Sequence, residues 1–369
     1  MTITATYRYD PDYAPMPGWL VEDHLKARGL SQAELARRCG RSPKLISEIV
    51  SGKAPIEPET AVQFERVLGV DARIWLGMES DYRLHIAREA EAAQADQHIA
   101  WAKKFPVSEL RKRGIIEPRS SERETAIALL TFFGVSSVEA WHTKYGSANV
   151  SYRHSASFKS DAAALATWIR IGERAAATQE CASYDTGRFR EALRQIRGLT
   201  TSSVESALRE AQGRCNAAGV ALALVKPLPK VRASGAAWWM SSQRAVIELS
   251  ARHKTDDQLW FSFFHEAAHI ALHGKRSVFV DGGQQSDLDD VEAAANAWAR
   301  DRLIPKRHWA HFVTGGRFSR ERVSAFARAE GIAPGIIVGR LQHEHRIPWS
   351  SLNALKTRLE WLDSNDSGE

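Results

Sequence analysis

The stretch Phe261 to Gly274, FSFFHEAAHIALHG, constrains this chain more than any other. A helix there puts His265 and His269 one turn apart on one face, with Glu266 about 100° round from the first. Leu259, Trp260, Phe261, Phe263 and Phe264 ask for burial, and polar groups buried among them need partners. Two imidazoles at this spacing can grip one metal ion. A carboxylate beside them can take a proton from a water on that ion.

Two histidines are too few for a catalytic zinc ion, which takes three protein ligands and keeps a position open. The candidates for the third are His273, Asp281, the cluster Asp287, Asp289 and Asp290, and Glu292. His273 continues the same helical face, but it lies about 12 Å along the axis from His265, too far to share the ion. It reads as a supporting residue. Glu292, expected to open the helix EAAANAWARDRLIP, shares a face with Asn296, and the alanines around them allow a close approach to the histidine helix. Glu292 is therefore expected to ligate Zn2+ and Asn296 to hydrogen-bond a ligating histidine, fixing its tautomer. In such a site zinc lowers its water's pKa towards roughly 7 and polarises a scissile carbonyl, while Glu266 carries the proton to the leaving amine. His343 and His345, in VGRLQHEHRIP, are candidates for stabilising the transition state.

The N-terminal part has a different character. From Pro17 to about Leu76 the pattern predicts five short helices, the first with Trp19, Leu20 and Leu25 facing inward. Ser31 and Glu34 form an S-x-x-E capping box, and Gly40 closes that helix. Ser42 caps the next, with Pro43 at its first position. Two short helices joined by a tight glycine turn make a helix-turn-helix, whose second helix reads a DNA major groove. Arg41, Ser42, Lys44, Ser47 and Lys53 are the residues expected on the DNA side.

Beyond Asp81 a helical run continues to Phe105, and Pro106, Gly114 and Pro118 predict a linker with a domain boundary near 105–120. Helices are expected from 121 to 218, with Trp141 and Trp168 in the core and His142 and His154 as isolated residues. At Gly219 the period changes, and GVALALVKPL, SGAAWWMSS and RAVIELSAR read as three short strands leading into the HEAAH helix. The chain is thus expected to be multidomain. It comprises an all-α helix-turn-helix domain (15–80), a connecting helix and linker (81–118), a helical middle region (119–216), an α+β zincin-like core (217–310) and a C-terminal helical extension (311–369).

With 369 residues, 44% hydrophobic and 25% charged, the composition is that of a soluble globular protein. No apolar run approaches the roughly 18 residues of a membrane span, and the N-terminus lacks the marks of a signal peptide, so a cytoplasmic protein with no membrane role is expected. Cys39, Cys181 and Cys215 are scattered, which suits a reducing compartment. A net charge of +6 permits nucleic-acid binding.

Two resemblances sharpen these expectations. The segment GLSQAELARRCGRSPKLISEIVSGKAPIEPETAVQFERVLGV resembles the XRE-type helix-turn-helix family, above all the HigA/VapI-type repressor-antitoxins. That resemblance implies a homodimer on double-stranded operator DNA. FHEAAHIALHG with EAAANAWARDRLIP resembles the ImmA/IrrE zinc metallopeptidases over about Ala217 to Pro305. It implies His265, His269 and Glu292 as ligands and Glu266 as general base, with Ala268 and Ala294 departing from the usual glycine and glutamate. The theme it implies is cleavage of a partner repressor, antitoxin or toxin, relieving repression under stress. The alternative is an antitoxin or repressor without proteolysis, whose C-terminal domain only binds a toxin or signal. Self-cleavage in the linker between Phe105 and Pro118 is a third expectation.

Overall fold

The computed structural model describes residues 13–146, 161–273 and 285–361, and the side chains of 92–97, 273 and 285–289 also lie outside the description. His154 and Asp281 fall outside it, as do the side chains of His273, Asp287 and Asp289. The chain divides into two compact units, 1–99 and 100–369. Among the described residues no helix is long and apolar enough to cross a membrane.

The first unit is built from α1 (Pro17–Arg28), α2 (Gln32–Cys39), α3 (Pro43–Val50), α4 (Pro58–Leu68) and the start of α5 (Ala72–Ala102). Leu35, Ile46, Ile49, Phe64 and Trp75 close a small core in which helices of 8–12 residues bury one face each. Gly40 ends α2 in the left-handed conformation, as the turn requires. Three expectations are corrected. Trp19 is 59% exposed, because Gly18 presses onto the Val50 backbone and Val21, two residues from Trp19 and about 200° round the helix, takes the inward position. Ser31 caps α2 by accepting from the Glu34 backbone N–H, but the Glu34 carboxylate turns to Arg37 and Arg38, so the reciprocal half of the box is missing. The fifth helix does not stop near Leu76. It runs unbroken to Ala102 because residues 77–102 contain no proline and only one glycine, Gly77.

In the second unit the stretch expected to be a linker is folded. α6 (Val107–Lys112) lies in it, and Phe105, Leu110 and Ile116 are buried with Trp101, Phe133 and Trp141 in an aromatic cluster. Tilted and edge-to-face rings with centroids 4.7–5.3 Å apart hold that cluster together, so Phe105 to Ile116 is no exposed tether. α7 (Glu122–Phe133) opens on a complete capping box from Ser121 and Glu124 and ends at Gly134. α8 (Val138–Trp141) follows, then α9 (Ala162–Ala177), α10 (Thr186–Leu199) and α11 (Val204–Ala217).

The three expected strands are β1 (Val220–Leu224), β2 (Gly235–Ser241) and β3 (Arg244–Leu249), in the order β1-β3-β2. β3 is central, parallel to β1 and antiparallel to β2. Residues alternate across the sheet, as a pleated strand requires. Ala245, Ile247 and Leu249 join a core made by α10, α11 and α12 (Asp256–His273), whereas Val246 packs on the other side with Trp168 of α9. Glu248 also points to the α9 side, fully buried beneath Gly172, and burial pushes its carboxyl well above the usual range. α13 (Gln285–Leu303) lies beside α12, and α14 (Lys306–Thr314), α15 (Arg320–Glu330) and α16 (Pro334–His343) complete the unit.

The segment after α16 ties down the start of α12. Thr357 N–H donates to Asp256 Oδ1, Thr357 carbonyl accepts from Asp256 N–H, and Lys356 Nζ lies 2.7 Å from Asp257 Oδ2. Burial, first of all, pushes the Asp256 carboxyl up to about 6. Its charge is therefore a cost in the folded state at pH 7, and the cost disappears as pH falls through 6 towards the unfolded value near 3.8. The Asp256 side chain accepts from the backbone N–H groups of Thr357 and Asp257, both at Oδ1, an oxygen that an asparagine can supply. Asp256→Asn is expected to stabilise the unit at pH 7 by roughly 2 kcal/mol, with the difference gone by pH 4. Urea unfolding at the two pH values measures this, and equal midpoints at pH 7 would contradict it.

Candidate metal centre and nucleic-acid face

α12 carries Leu259, Trp260, Phe263 and Phe264 on its buried side, all 3% exposed or less. That packing fixes the helix and aims His265 and His269 at α13. On α13 Glu292 lies two turns inside the helix, which starts at Gln285 rather than at Glu292 as expected. Ala295 and Ala299, fully buried, let the two helices close.

His265, His269 and Glu292 converge. The Nε2 atoms of the two histidines are 3.2 Å apart. Glu292 Oε2 is 3.3 Å from His265 Nε2, and Oε1 is 3.5 Å from His269 Nε2. A tetrahedral zinc ion with ligand bonds of about 2.1 Å needs ligand atoms roughly 3.4 Å apart, so the donor set fits such an ion in both type and spacing. Hard-cation sites, by contrast, are built from six or more oxygens. The three side chains keep 13%, 20% and 23% exposure, so the cluster borders open space rather than a sealed core.

Asn296 Oδ1 lies 3.1 Å from His265 Nδ1, the contact expected from the sequence. With the amide so oriented, Nδ1 carries the proton and the Nε2 lone pair faces the cluster. Burial lowers the His265 pKa, but Glu292, Glu266 and Asn296 together outweigh it and raise the net value.

Glu266 is 8% exposed, and burial pushes its carboxyl up to about 7, with His265 opposing the shift and Glu292 adding to it. It sits against β2. A Cβ on Gly235 would fall 2.7 Å from Glu266 Cγ and 2.8 Å from its Oε1. Sequence reasoning misses Gly235, although a glycine opening a strand is a recognised sign of close approach. In the sequence, Ser234–Gly235 signals only a turn. Among the described residues, no backbone hydrogen bond joins another element to the outer side of β2 between Ala236 and Ser241.

His343 lies on α16 with Phe261 of α12 beside one cavity, and among the described residues no hydrogen bond or ion pair links it to the cluster. On the side expected to face nucleic acid, Ser42, Lys44, Ser47 and Lys53 are exposed on α3 or just beyond its two ends. Two of the expected residues have other partners. Ser42 Oγ caps α3 by accepting from Leu45 N–H, and Arg41 is held by Gln63 and Glu59 of α4 at 2.8 and 3.0 Å. Among the described residues Lys44 makes only a long, exposed ion pair of 3.8 Å with Glu48.

These features define a class, a helix-turn-helix unit joined to an α+β unit in which two histidines and a glutamate converge at metal-binding spacing. Residues 21–75 match the helix-turn-helix family and residues 223–329 the IrrE N-terminal-like domain of the peptidase M78 family. The chain is 39% identical over 74 residues to virulence-associated protein I of Dichelobacter nodosus, covering 20% of this chain and 68% of that protein. It is 30% identical over 70 residues to the uncharacterized HTH-type transcriptional regulator YddM of Escherichia coli (strain K12), covering 19% and 74%. The chain belongs to the XRE-type helix-turn-helix family and carries, fused to that domain, an IrrE/ImmA-like domain of the M78 peptidase family.

Proposed function

We propose that the chain is a DNA-binding transcriptional regulator whose second unit is a zinc-dependent endopeptidase acting on one regulatory protein, a repressor, antitoxin or toxin. The observation that carries this reading is the cluster of His265, His269 and Glu292 with the Glu266 carboxyl held beside it under β2. A zinc ion held by these three residues supplies Lewis acidity and activates water near neutral pH. The chain's own residues do the rest. Asn296 holds the His265 ring, and Glu292 brings one negative charge to the cluster. Glu266, with its carboxyl poised near neutrality, takes a proton from the attacking water and returns it to the leaving amine. The outer side of β2 gives an extended peptide backbone a strand to pair with, directly above that carboxyl. A site that only held metal for structure would have no use for Glu266.

The test compares the metal-loaded protein with Glu266→Gln in an extract of its host. A protein shortened by the wild-type chain and untouched by the variant supports the reading, whereas identical band patterns reject it. We further propose that the helix-turn-helix unit acts as a homodimer in the cytoplasm, with Lys44, Ser47 and Lys53 at the DNA. Because Arg41 is tied to α4, Lys44→Ala with Lys53→Ala is the sharper test. Operator affinity should fall, and the slope of log K against log salt should drop by about 1 for each phosphate that is no longer neutralised. An unchanged slope would move the DNA face elsewhere.

A further inference from the structure

A cavity of about 150 Å³ lies between α12, α13 and α16. Two stripes of side chains fix its place. On α12, Phe261, His265 and His269 recur at four-residue spacing and are all partly exposed, as are Glu292, Asn296 and Arg300 on α13. Glu292 meets both histidines and Asn296 meets His265, so the two helices run in opposite senses and the next turn brings Phe261 level with Arg300. Both of those residues line the cavity. It therefore begins about 6 Å along α12 from His265, one helical turn beyond the metal cluster. The Phe261 ring, its centroid 6.2 Å from that of His265, stands between the two.

Leu303, Ile304 and Ile336, each 5% exposed or less, make the rest of the wall apolar. Arg340 and Glu344 are paired with each other at 2.9 Å. Asp257 keeps both carboxylate oxygens sealed from the space, with Oδ2 2.7 Å from Lys356 Nζ. The exposed His343 and the partly exposed Arg300 leave the cavity open to solvent on one side. Such a space suits an apolar body about the size of benzene. An extended peptide advances roughly 3.3 Å per residue, so a cavity one turn from the metal cluster is within reach of a residue flanking the bond to be cut. We propose that this cavity is the specificity pocket of the peptidase and receives the side chain of the substrate residue next to the scissile bond. Its size and lining select leucine, methionine or phenylalanine over charged residues and over tryptophan. The inference rests on the peptidase reading above and names the substrate residue which that reading leaves open.

Isothermal titration of the zinc-loaded full chain with acetohydroxamate, phenylacetohydroxamate and naphthylacetohydroxamate tests this. The hydroxamate group chelates zinc, and its substituent stands in for the side chain beside the scissile bond. Phenylacetohydroxamate is expected to bind at least about tenfold tighter than acetohydroxamate, because its ring leaves water for the pocket. The naphthyl compound, with two fused rings, exceeds the cavity and should bind more weakly than the phenyl one. Ile336→Trp fills the space, so it should remove the gain from the phenyl ring while acetohydroxamate binds as it does to the wild type. That second affinity shows that the variant is folded, and the wild-type series decides the matter even where it is not. A phenyl gain below tenfold, or a naphthyl compound that binds as tightly as the phenyl one, overturns the pocket and leaves the metal site standing. If no hydroxamate binds the zinc-loaded chain, the peptidase reading itself fails and the pocket falls with it.

Discussion

His269→Ala and Glu292→Ala are each expected to lower zinc affinity about a hundred- to a thousandfold, because each removes one of the three proposed protein ligands. Zinc sites with four ligands bind with roughly 10–16 kcal/mol, so the loss of one ligand is worth about 3 kcal/mol or more. Asn296→Ala should cost less, about 10–100-fold, since it frees the His265 ring without removing a donor. Glu266→Gln should bind zinc as the wild type does. Competition with a chromophoric chelator at pH 7.5 ranks the four, and the idea fails if the two ligand variants hold zinc as tightly as Glu266→Gln. The same titration has a defined pH dependence. The pKa of His265 is raised, so its protonated form persists to higher pH than in a free imidazole. Zinc must displace that proton, so the loss of affinity on acidification should set in above the ordinary imidazole value of 6.5 and continue below it.

Gly235→Ala is expected to leave zinc binding intact and reduce turnover about a hundredfold. An added methyl cannot coexist with the Glu266 carboxylate in its present position, since Cγ and Oε1 would both lie inside 3 Å of it. β2 is anchored to β3 from Gly235 onward and cannot retreat freely, so the carboxylate must move. A displacement of about 1 Å in a reacting group costs on the order of a hundredfold in rate. The ligands on α12 and α13 are not in the path of the new methyl group. The readout is cleavage of the protein that the wild-type chain shortens and Glu266→Gln leaves untouched, alongside zinc stoichiometry. Wild-type turnover by Gly235→Ala would show that Gly235 does not set the position of the carboxylate.

Much of this site is legible in the sequence because it is built from helices. His265, Glu266 and His269 lie within one turn and a half, so their spacing alone places them, and the same holds for Glu292 with Asn296. The helix-turn-helix is readable for a similar reason, as caps and glycine stops are local chemistry. Trp19 is not, because an aromatic residue looks like core until the close approach at Gly18 decides which face turns inward. Phe105 to Ile116 reads as a linker because prolines and a glycine mark turns without saying whether the turns are covered. Asp256 and Asp257 carry no signal of their own, because burial at a helix start depends on a segment a hundred residues later.

The sequence by itself determined which residue types could hold a metal, the secondary structure that carries them and the class of each unit. Those properties follow from periodicity and from chemistry within a few residues. Only the tertiary structure decided that the two histidines and Glu292 stand about 3.2–3.5 Å apart, that Gly235 makes room for Glu266, and that Arg41 is held by α4. The same is true of the cavity beside Phe261 between three helices. Each of these depends on packing between elements distant in the chain, where the position of a side chain is set by volume and exclusion rather than by its own neighbours.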